Sequence, residues 1–256
     1  MIELKALTKR YGAANAVDDV SLTVSDGELF VLVGGSGSGK TTTLKMINRL
    51  IEPSSGAILI DGEDVTTLPP HALRRRIGYV FQKVGLFPHM TVAENIGITP
   101  ALLRWDRARI AARIDELLTL VELDPAAVRD RFPTALSGGE QQRVGVARAL
   151  AAEAKVMLLD EPFGALDPLT RDHLQHSFKA IRQTIGLTSI FVTHDMGEAL
   201  LLGDRIGVMR NGRLIQVGTP RELLLHPADD YVRQMIETPV RQAGAIDNLL
   251  RPESTQ

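Results

Sequence analysis

The sequence predicts an α/β fold: a mixed sheet at the core, an antiparallel β-subdomain at the N-terminus and an α-helical subdomain inserted midway. Three observations lead there. Leu29-Phe30-Val31-Leu32-Val33 has the length and composition of a buried strand, breaks into a glycine-rich loop and opens a helix through Thr42-Thr43-Leu44-Lys45-Met46-Ile47. Two further apolar runs, Val156–Asp160 and Thr188–Thr193, end in chemistry-bearing residues, Asp160-Glu161 and His194-Asp195. From about Val84 to Lys155 the texture turns helical, whereas residues 1–30 and 205–218 alternate in short segments bounded by turns.

In chain order, Ile2–Lys9 and Val20–Val24 read as antiparallel strands, with turn chemistry at Lys9-Arg10-Tyr11-Gly12 and Ser25-Asp26-Gly27-Glu28. Tyr11 is either a packed strand-end aromatic or a platform on which a base can stack. The loop after Val33 has the spacing Gly34-x4-Gly39-Lys40-Thr41, a P-loop in the strand–loop–helix context that supports the motif. Gly34, Gly35, Gly37 and Gly39, with Ser36 and Ser38 between them, let backbone N–H groups turn inward around phosphate oxygens. The helix start at Thr42 adds its positive dipole end. Lys40 can reach the β- and γ-phosphates, and the Thr41 hydroxyl can ligate Mg²⁺. A flexible Gly/Ser linker needs neither flank, so the fold class sharpens to a P-loop NTPase.

After this helix, Pro53-Ser54-Ser55-Gly56 makes a turn, Ala57–Ile60 a strand and Asp61-Gly62 a hairpin turn. The strand Gly78–Phe81 ends at Gln82, in a mixed sheet with the P-loop at its edge. Thr91-Val92-Ala93-Glu94 is a capping box. Asp106–Leu123 places Ile110, Ile114, Leu117, Leu118 and Val121 on one helical face. Ser137-x-x-Glu140 opens a helix running to about Ala152; its Ser137-Gly138-Gly139 start is either a plain cap or an anion site.

At the end of Val156–Asp160, Asp160 is placed to bind Mg²⁺ and Glu161 to accept a proton from, or orient, an attacking water. His194, structural in most strand-end settings, here lies at the same carboxyl edge and is placed to read a γ-phosphate. Asn211-Gly212 between Arg205–Met209 and Arg213–Gly218 is a strong hairpin signal. Thr219-Pro220-Arg221-Glu222 caps a further helix, and Thr238–Gln256 reads as a short helix with a mobile tail.

Bulk composition excludes several classes. With 29 basic and 31 acidic residues and a net charge of −2, the chain has no nucleic-acid footprint. It has no cysteine, hence no disulfide or thiolate chemistry, which suits a reducing cytoplasm. Met1–Lys5 alternates like a strand and lacks a signal-peptide core. No apolar run approaches the roughly 18 residues that span a bilayer, so a membrane role has to work through a partner.

These motifs, in this order, resemble the ATP-binding subunit of an ATP-binding cassette (ABC) transporter over about residues 1–240. The resemblance rests on Tyr11, the P-loop Gly34–Thr42, Gln82, Leu136-Ser137-Gly138-Gly139-Glu140-Gln141, the strand ending in Asp160-Glu161, Ala165-Leu166-Asp167, and His194. It implies an ABC ATPase domain at 1–240, with the helical subdomain inserted at about 84–155 and a short tail at 241–256. It implies ATP and Mg²⁺ as ligands, with Glu161, His194 and Gln82 catalytic and Thr41, Gln82 and Asp160 at the metal. Tyr11 would stack on adenine. Ser137, Gly138, Gly139, Gln141 and Asp167 would complete the site of a second copy, in a head-to-tail ATP-sandwich dimer. The implied partners are integral membrane permease subunits and, in the wider complex, an extracytoplasmic solute-binding protein; the implied location is the cytoplasmic face of the membrane.

More narrowly, Lys83–Thr91, Leu103-Arg104-Trp105-Asp106 and Arg131–Leu150 look like ATPases of importers for glycine betaine, choline and related osmoprotectants. Leu86, Phe87 and Met90, directly after Gln82, either pack back into the helical subdomain or form an apolar patch for a permease helix. One departure is Gly35, where many relatives have Pro, and a looser loop is expected. Larger relatives add paired regulatory modules after the ATPase domain; a chain of this length is expected to lack them. The alternatives are a soluble ABC-type ATPase switch, an importer ATPase for another solute such as an amino acid, and a small-molecule kinase. The switch lacks its second cassette or long insertions here, and the kinase leaves the Ser137 stretch unexplained.

Overall fold

The computed structural model describes residues 1–250 except Val84 and Ala165, with side chains described up to Gln242. Val84, expected to open the helical block, Ala165 and the expected tail residues 251–256 lie outside the described residues. The chain begins with β1 (Ile2–Tyr11) and β2 (Ala14–Val24), which pair antiparallel across the Gly12-Ala13 turn. Both run further than their alternation suggested, because cross-strand pairing continues as far as Tyr11 opposite Ala14. Next come β3 (Leu29–Val33), the P-loop, α1 (Lys40–Ile47), β4 (Ser55–Ile60) and β5 (Glu63–Asp64). The β4–β5 turn at Asp61-Gly62 has φ of 52° and 79°, as its sequence requires. Strands β2-β1-β4-β5 form an antiparallel sheet.

After α2 (Pro70–Arg74) and β6 (Ile77–Val80) come the helices α3 (Val92–Leu102), α4 (Arg107–Leu120), α5 (Pro125–Val128) and α6 (Gly138–Leu150). Both expected capping boxes are made, at Thr91/Glu94 and Ser137/Glu140. The chain continues through β7 (Val156–Asp160), α7 (Pro168–Ile185), β8 (Thr188–Thr193), α8 (Met196–Leu202), β9 (Arg205–Arg210) and β10 (Arg213–Gly218). It closes on α9 (Pro220–Leu225) and α10 (Asp230–Leu250). The second sheet has the order β10-β9-β3-β8-β7-β6 and is parallel except for the β9–β10 hairpin. The P-loop therefore lies at the sheet's carboxyl edge but on an interior strand.

This sheet is buried on both faces, which is why its strands read as unbroken apolar runs. Along β3, Leu29, Val31 and Val33 face one core with the helices α3 to α8, while Phe30 and Leu32 face another with α1 and the antiparallel sheet. The inserted helices share that first core with the sheet rather than closing on a core of their own. Contact between α6 and β6 is so close that a Cβ at Gly78 would sit 2.6 Å from the Ala149 carbonyl oxygen.

Helices α2, α7 and α8 were not picked out from the sequence. The helix α10 starts at Asp230 instead of near Thr238 and runs across residue 240, where a tail was expected to begin. Pro239 lies inside it. Proline removes one helical hydrogen bond, but Val232 and Ile236 bury one face of the helix in the core and outweigh that loss.

In the first core, Phe163 stands edge-on to Phe178, with ring centroids 6.4 Å apart, and against Phe191 at 5.7 Å. Phe178→Ala leaves a cavity between α7 and the sheet. It is expected to lower stability by about 3–5 kcal/mol, read as a reduced midpoint in urea unfolding.

Candidate nucleotide site

Strand register brings the site together. Val33 is paired with Thr193 and Asp160 with Val192, so β3, β8 and β7 end level with one another. Val80 pairs with Leu159, which sets Gln82 beside Glu161, each two residues beyond its paired strand residue. The Gln82 amide donates to Glu161 Oε2 at 3.1 Å, and His194 Nδ1 lies 3.2 Å from the same oxygen. The three residues expected to be catalytic thus meet on one carboxylate oxygen. Glu161 adopts a left-handed backbone, φ 44°, with its N–H on the Val192 carbonyl at 2.9 Å. A non-glycine residue in that region is strained, and the strain aims this side chain across the sheet edge.

The P-loop is tightly packed at Gly34 and Gly39 and open at Gly37. A Cβ at Gly34 would lie 2.2 Å from the Met209 carbonyl oxygen. Gly37 and Gly39 have φ of 75° and 106°, which side chains rarely adopt. Ser36 is exposed and Ser38 buried. The Lys40 ammonium donates to Gly34 O at 2.7 Å, Gly35 O at 2.9 Å and Ser38 Oγ at 3.2 Å. Burial lowers the Lys40 pKa, while the Glu161 and Asp160 carboxylates pull it back up. Thr42 follows Thr41 in the first turn of α1.

The Thr41 hydroxyl donates to Asp160 Oδ1 at 2.8 Å. Burial pushes the Asp160 carboxyl up, against the Thr41 hydrogen bond and the Lys45 and Lys40 charges. Two hard oxygen donors beside a phosphate cradle, one a buried carboxylate, fit Mg²⁺. The Gln82 amide, not its carbonyl oxygen, is the group engaged here. Tyr11 is 53% exposed with Lys9 Nζ 5.2 Å above its ring, so it is not the packed strand-end aromatic of the first alternative. Its hairpin leads into Ala16, whose carbonyl oxygen would lie 2.6 Å from a Cβ at Gly39.

The second group of expected residues lies apart from the first. Ser137, Gly138 and Gly139 line a cleft with Glu122, Leu166 and Asp167, with no P-loop residue in it. Asp167 caps α7 through the Thr170 N–H at 3.1 Å, and the Thr170 hydrogen bonds lower its pKa. Ser137 caps α6, exchanging hydrogen bonds with Glu140. The Gln141 amide is committed to the Pro133 and Leu136 carbonyls, at 3.1 and 3.2 Å, and braces the turn behind the cleft. Sequence reasoning missed two neighbours of the P-loop. Lys45, one turn along α1, adds positive charge near Asp160, and the Tyr231 hydroxyl accepts from the Gly35 N–H at 3.2 Å. No local motif announces Tyr231, because its relation to the P-loop is purely tertiary.

Fold and site together define a P-loop NTPase: a strand–loop–helix phosphate cradle with a part-buried Thr–Asp pair and an oriented carboxylate beyond it. A family model described as ABC transporter matches residues 17–164, more than half of the chain, and the chain belongs to that family. The choline transport ATP-binding protein OpuBA of Bacillus subtilis (strain 168) is 53% identical over 237 residues, 92% of this chain and 62% of that relative. The glycine betaine uptake system ATP-binding protein YehX of Escherichia coli (strain K12) is 53% identical over 234 residues, 91% of this chain and 76% of that relative. The chain thus spans about three fifths of the length of the first curated relatives it matches. Among solved structures, the dimeric structure of MJ0796, a bacterial ABC transporter cassette, superposes with a TM-score of 0.77 at 35% identity, covering 86% of this chain and 99% of that one. The structure of cbiO1 from Clostridium perfringens gives a TM-score of 0.82 at 27% identity, covering 96% and 98%.

Gly34→Ala forces either the P-loop or the β9–β10 hairpin to move, since backbone oxygen occupies the space the methyl needs. The variant is expected to fold, yet to lose at least about tenfold in MgATP affinity in an equilibrium titration, because the cradle's N–H groups no longer converge.

Proposed function

We propose that this chain is the ATP-hydrolysing subunit of an importer for a quaternary-ammonium osmoprotectant such as glycine betaine or choline. It acts as a head-to-tail dimer at the cytoplasmic face of a membrane, on a separate permease served by an extracytoplasmic binding protein. The convergence of Gln82 and His194 on Glu161, beside an intact P-loop, is the observation that carries the hydrolytic reading. The solute class rests on relatives: those named for choline, glycine betaine, carnitine or osmoprotectant transport are 51–53% identical. One named for sulfate/thiosulfate import is 47% identical and one for spermidine/putrescine import 43%. Among the described residues no helix is long and apolar enough to cross a membrane, in keeping with a separate permease.

In the reaction, Lys40 exchanges its loop carbonyls for β- and γ-phosphate oxygens, and Thr41 with Asp160 holds Mg²⁺. A bound Mg²⁺ would supply charge neutralisation for the phosphoryl group, held there by Thr41 and Asp160. Glu161 orients the water and takes up its proton, and His194, beside the same carboxylate, reads the γ-phosphate. Tyr11 stacks on adenine. Ser137, Gly138, Gly139, Gln141 and Asp167, lying outside the P-loop cluster, serve the nucleotide of the second copy. Phe87, 40% exposed, suits permease docking: the buried Asn95 holds its loop rigid, accepting from Phe87 N at 2.8 Å and donating to Phe87 O at 3.1 Å.

Glu161→Gln keeps the hydrogen-bonding shape but cannot take a proton. Reconstituted with permease and solute, it is expected to bind ATP normally, with turnover lowered about 10²- to 10⁴-fold. Turnover at the wild-type rate removes Glu161 from the chemistry.

Sharing of sites between copies has its own test. Ser137→Arg and Lys40→Ala each inactivate a homodimer, while a mixed dimer carrying one defect per chain retains one undamaged site. Recovery of ATPase activity on mixing, above either parent, is expected; efficient hydrolysis by an isolated monomer rules trans completion out.

A further inference from the structure

The helix α10 touches the P-loop at one point and the helix that follows His194 at another. Its approach is held by Gln216 on β10, which donates to His226 O at 2.8 Å and accepts from Ala228 N at 2.7 Å. Asp229 then caps the helix, its Oδ1 accepting from Val232 N at 2.9 Å. With Val232 and Ile236 buried, the Tyr231 side chain is directed at the P-loop. The Arg210 guanidinium lies 4.7 Å from the Tyr231 ring centroid, at the end of β9. The adjoining hairpin reaches the same loop, Gly212 N donating to Ser38 O at 3.0 Å. Further along α10, Pro239 Cβ lies 3.6 Å from where a Cβ on Gly197 would be, in the first turn of the helix that follows His194.

Gly35 lies at the exposed crest of the loop, with Ser36 and Gly37. Both of its backbone polar groups are nevertheless held: the carbonyl by Lys40 at 2.9 Å, the N–H by the Tyr231 hydroxyl at 3.2 Å. A phosphate that recruits Lys40 takes that contact away and leaves the Ser38 N–H on the carbonyl at 3.2 Å and the Tyr231 hydroxyl on the N–H. We propose that Tyr231 is a positioning residue for the phosphate-binding loop, its hydroxyl fixing the Gly35 peptide so that the cradle is formed before nucleotide arrives. This role rests on the loop being the MgATP site of an ATPase. Glycine has the largest conformational freedom to lose, so an anchor at this residue lowers the ordering cost of binding. The same contact ties α10 to the nucleotide site.

Tyr231→Phe isolates the hydroxyl, since the ring keeps its packing and its Arg210 contact. The test is an equilibrium MgATP titration and steady-state kinetics on both full-length proteins, with amide exchange at Gly35 in the nucleotide-free state. The dissociation constant and KM are expected to rise about fivefold, the size of one net hydrogen bond, with kcat at saturation within about twofold of wild type. The Gly35 amide is expected to exchange faster, at an unchanged melting temperature. Affinity within about twofold of wild type, or tighter, overturns the proposal, because a single lost hydrogen bond should exceed that. A lowered melting temperature with kcat falling and KM unchanged also overturns it, because that is a structural role. A wild-type protein that binds no MgATP instead defeats the ATPase reading, and does so before any variant is compared.

Discussion

Parallel pairing of β7, β8 and β3 is the constraint on which the site depends. Because Val33, Thr193 and Asp160 end their strands within one residue of each other, the next residues in each chain segment emerge at one edge. Those residues are Gly34, His194 and Glu161, to which β6 adds Gln82 through the Val80–Leu159 pair. A slip of one residue in any pair would reverse which face each side chain occupies and break the alternation that divides β3 between two cores. The burial that stabilises the sheet therefore also sets the positions of these four residues.

Burial has an electrostatic consequence at that edge. It disfavours charge on both Lys40 and Asp160, lowering the pKa of the first and raising that of the second. Each is offset by polar neighbours: loop carbonyls for Lys40, the Thr41 hydroxyl and two lysines for Asp160. Such a site is unsatisfied in a specific sense. An anion near Lys40 and a cation near Asp160 would each favour the charged form that burial disfavours.

The cleft around Ser137 and Asp167 shows a different logic. Its residues are helix caps, exposed and already hydrogen-bonded within their own turns, and Gln141 stabilises the turn behind them. Within one copy they close no nucleotide pocket with the P-loop. The cleft and the P-loop are separate surfaces of one copy.

Local features were legible in the residues alone. The P-loop spacing, the capping boxes at Thr91, Ser137 and Thr219, the Asn211-Gly212 hairpin and the apolar strands all stand where the residues placed them. Each is governed by backbone preference or by hydrogen bonds within four residues, and neighbours in sequence suffice to read it. Resemblance to a family favoured one reading where local rules left two open, as at Tyr11 and Ser137. Long-range packing supplied the rest. It carried α10 through Pro239 because Val232 and Ile236 are buried, and joined the helical insert to the sheet's own core. It also set the Tyr231 hydroxyl on Gly35, a contact between residues 196 positions apart. Such contacts arise from packing whole elements together, and no short stretch of sequence carries the information that places them.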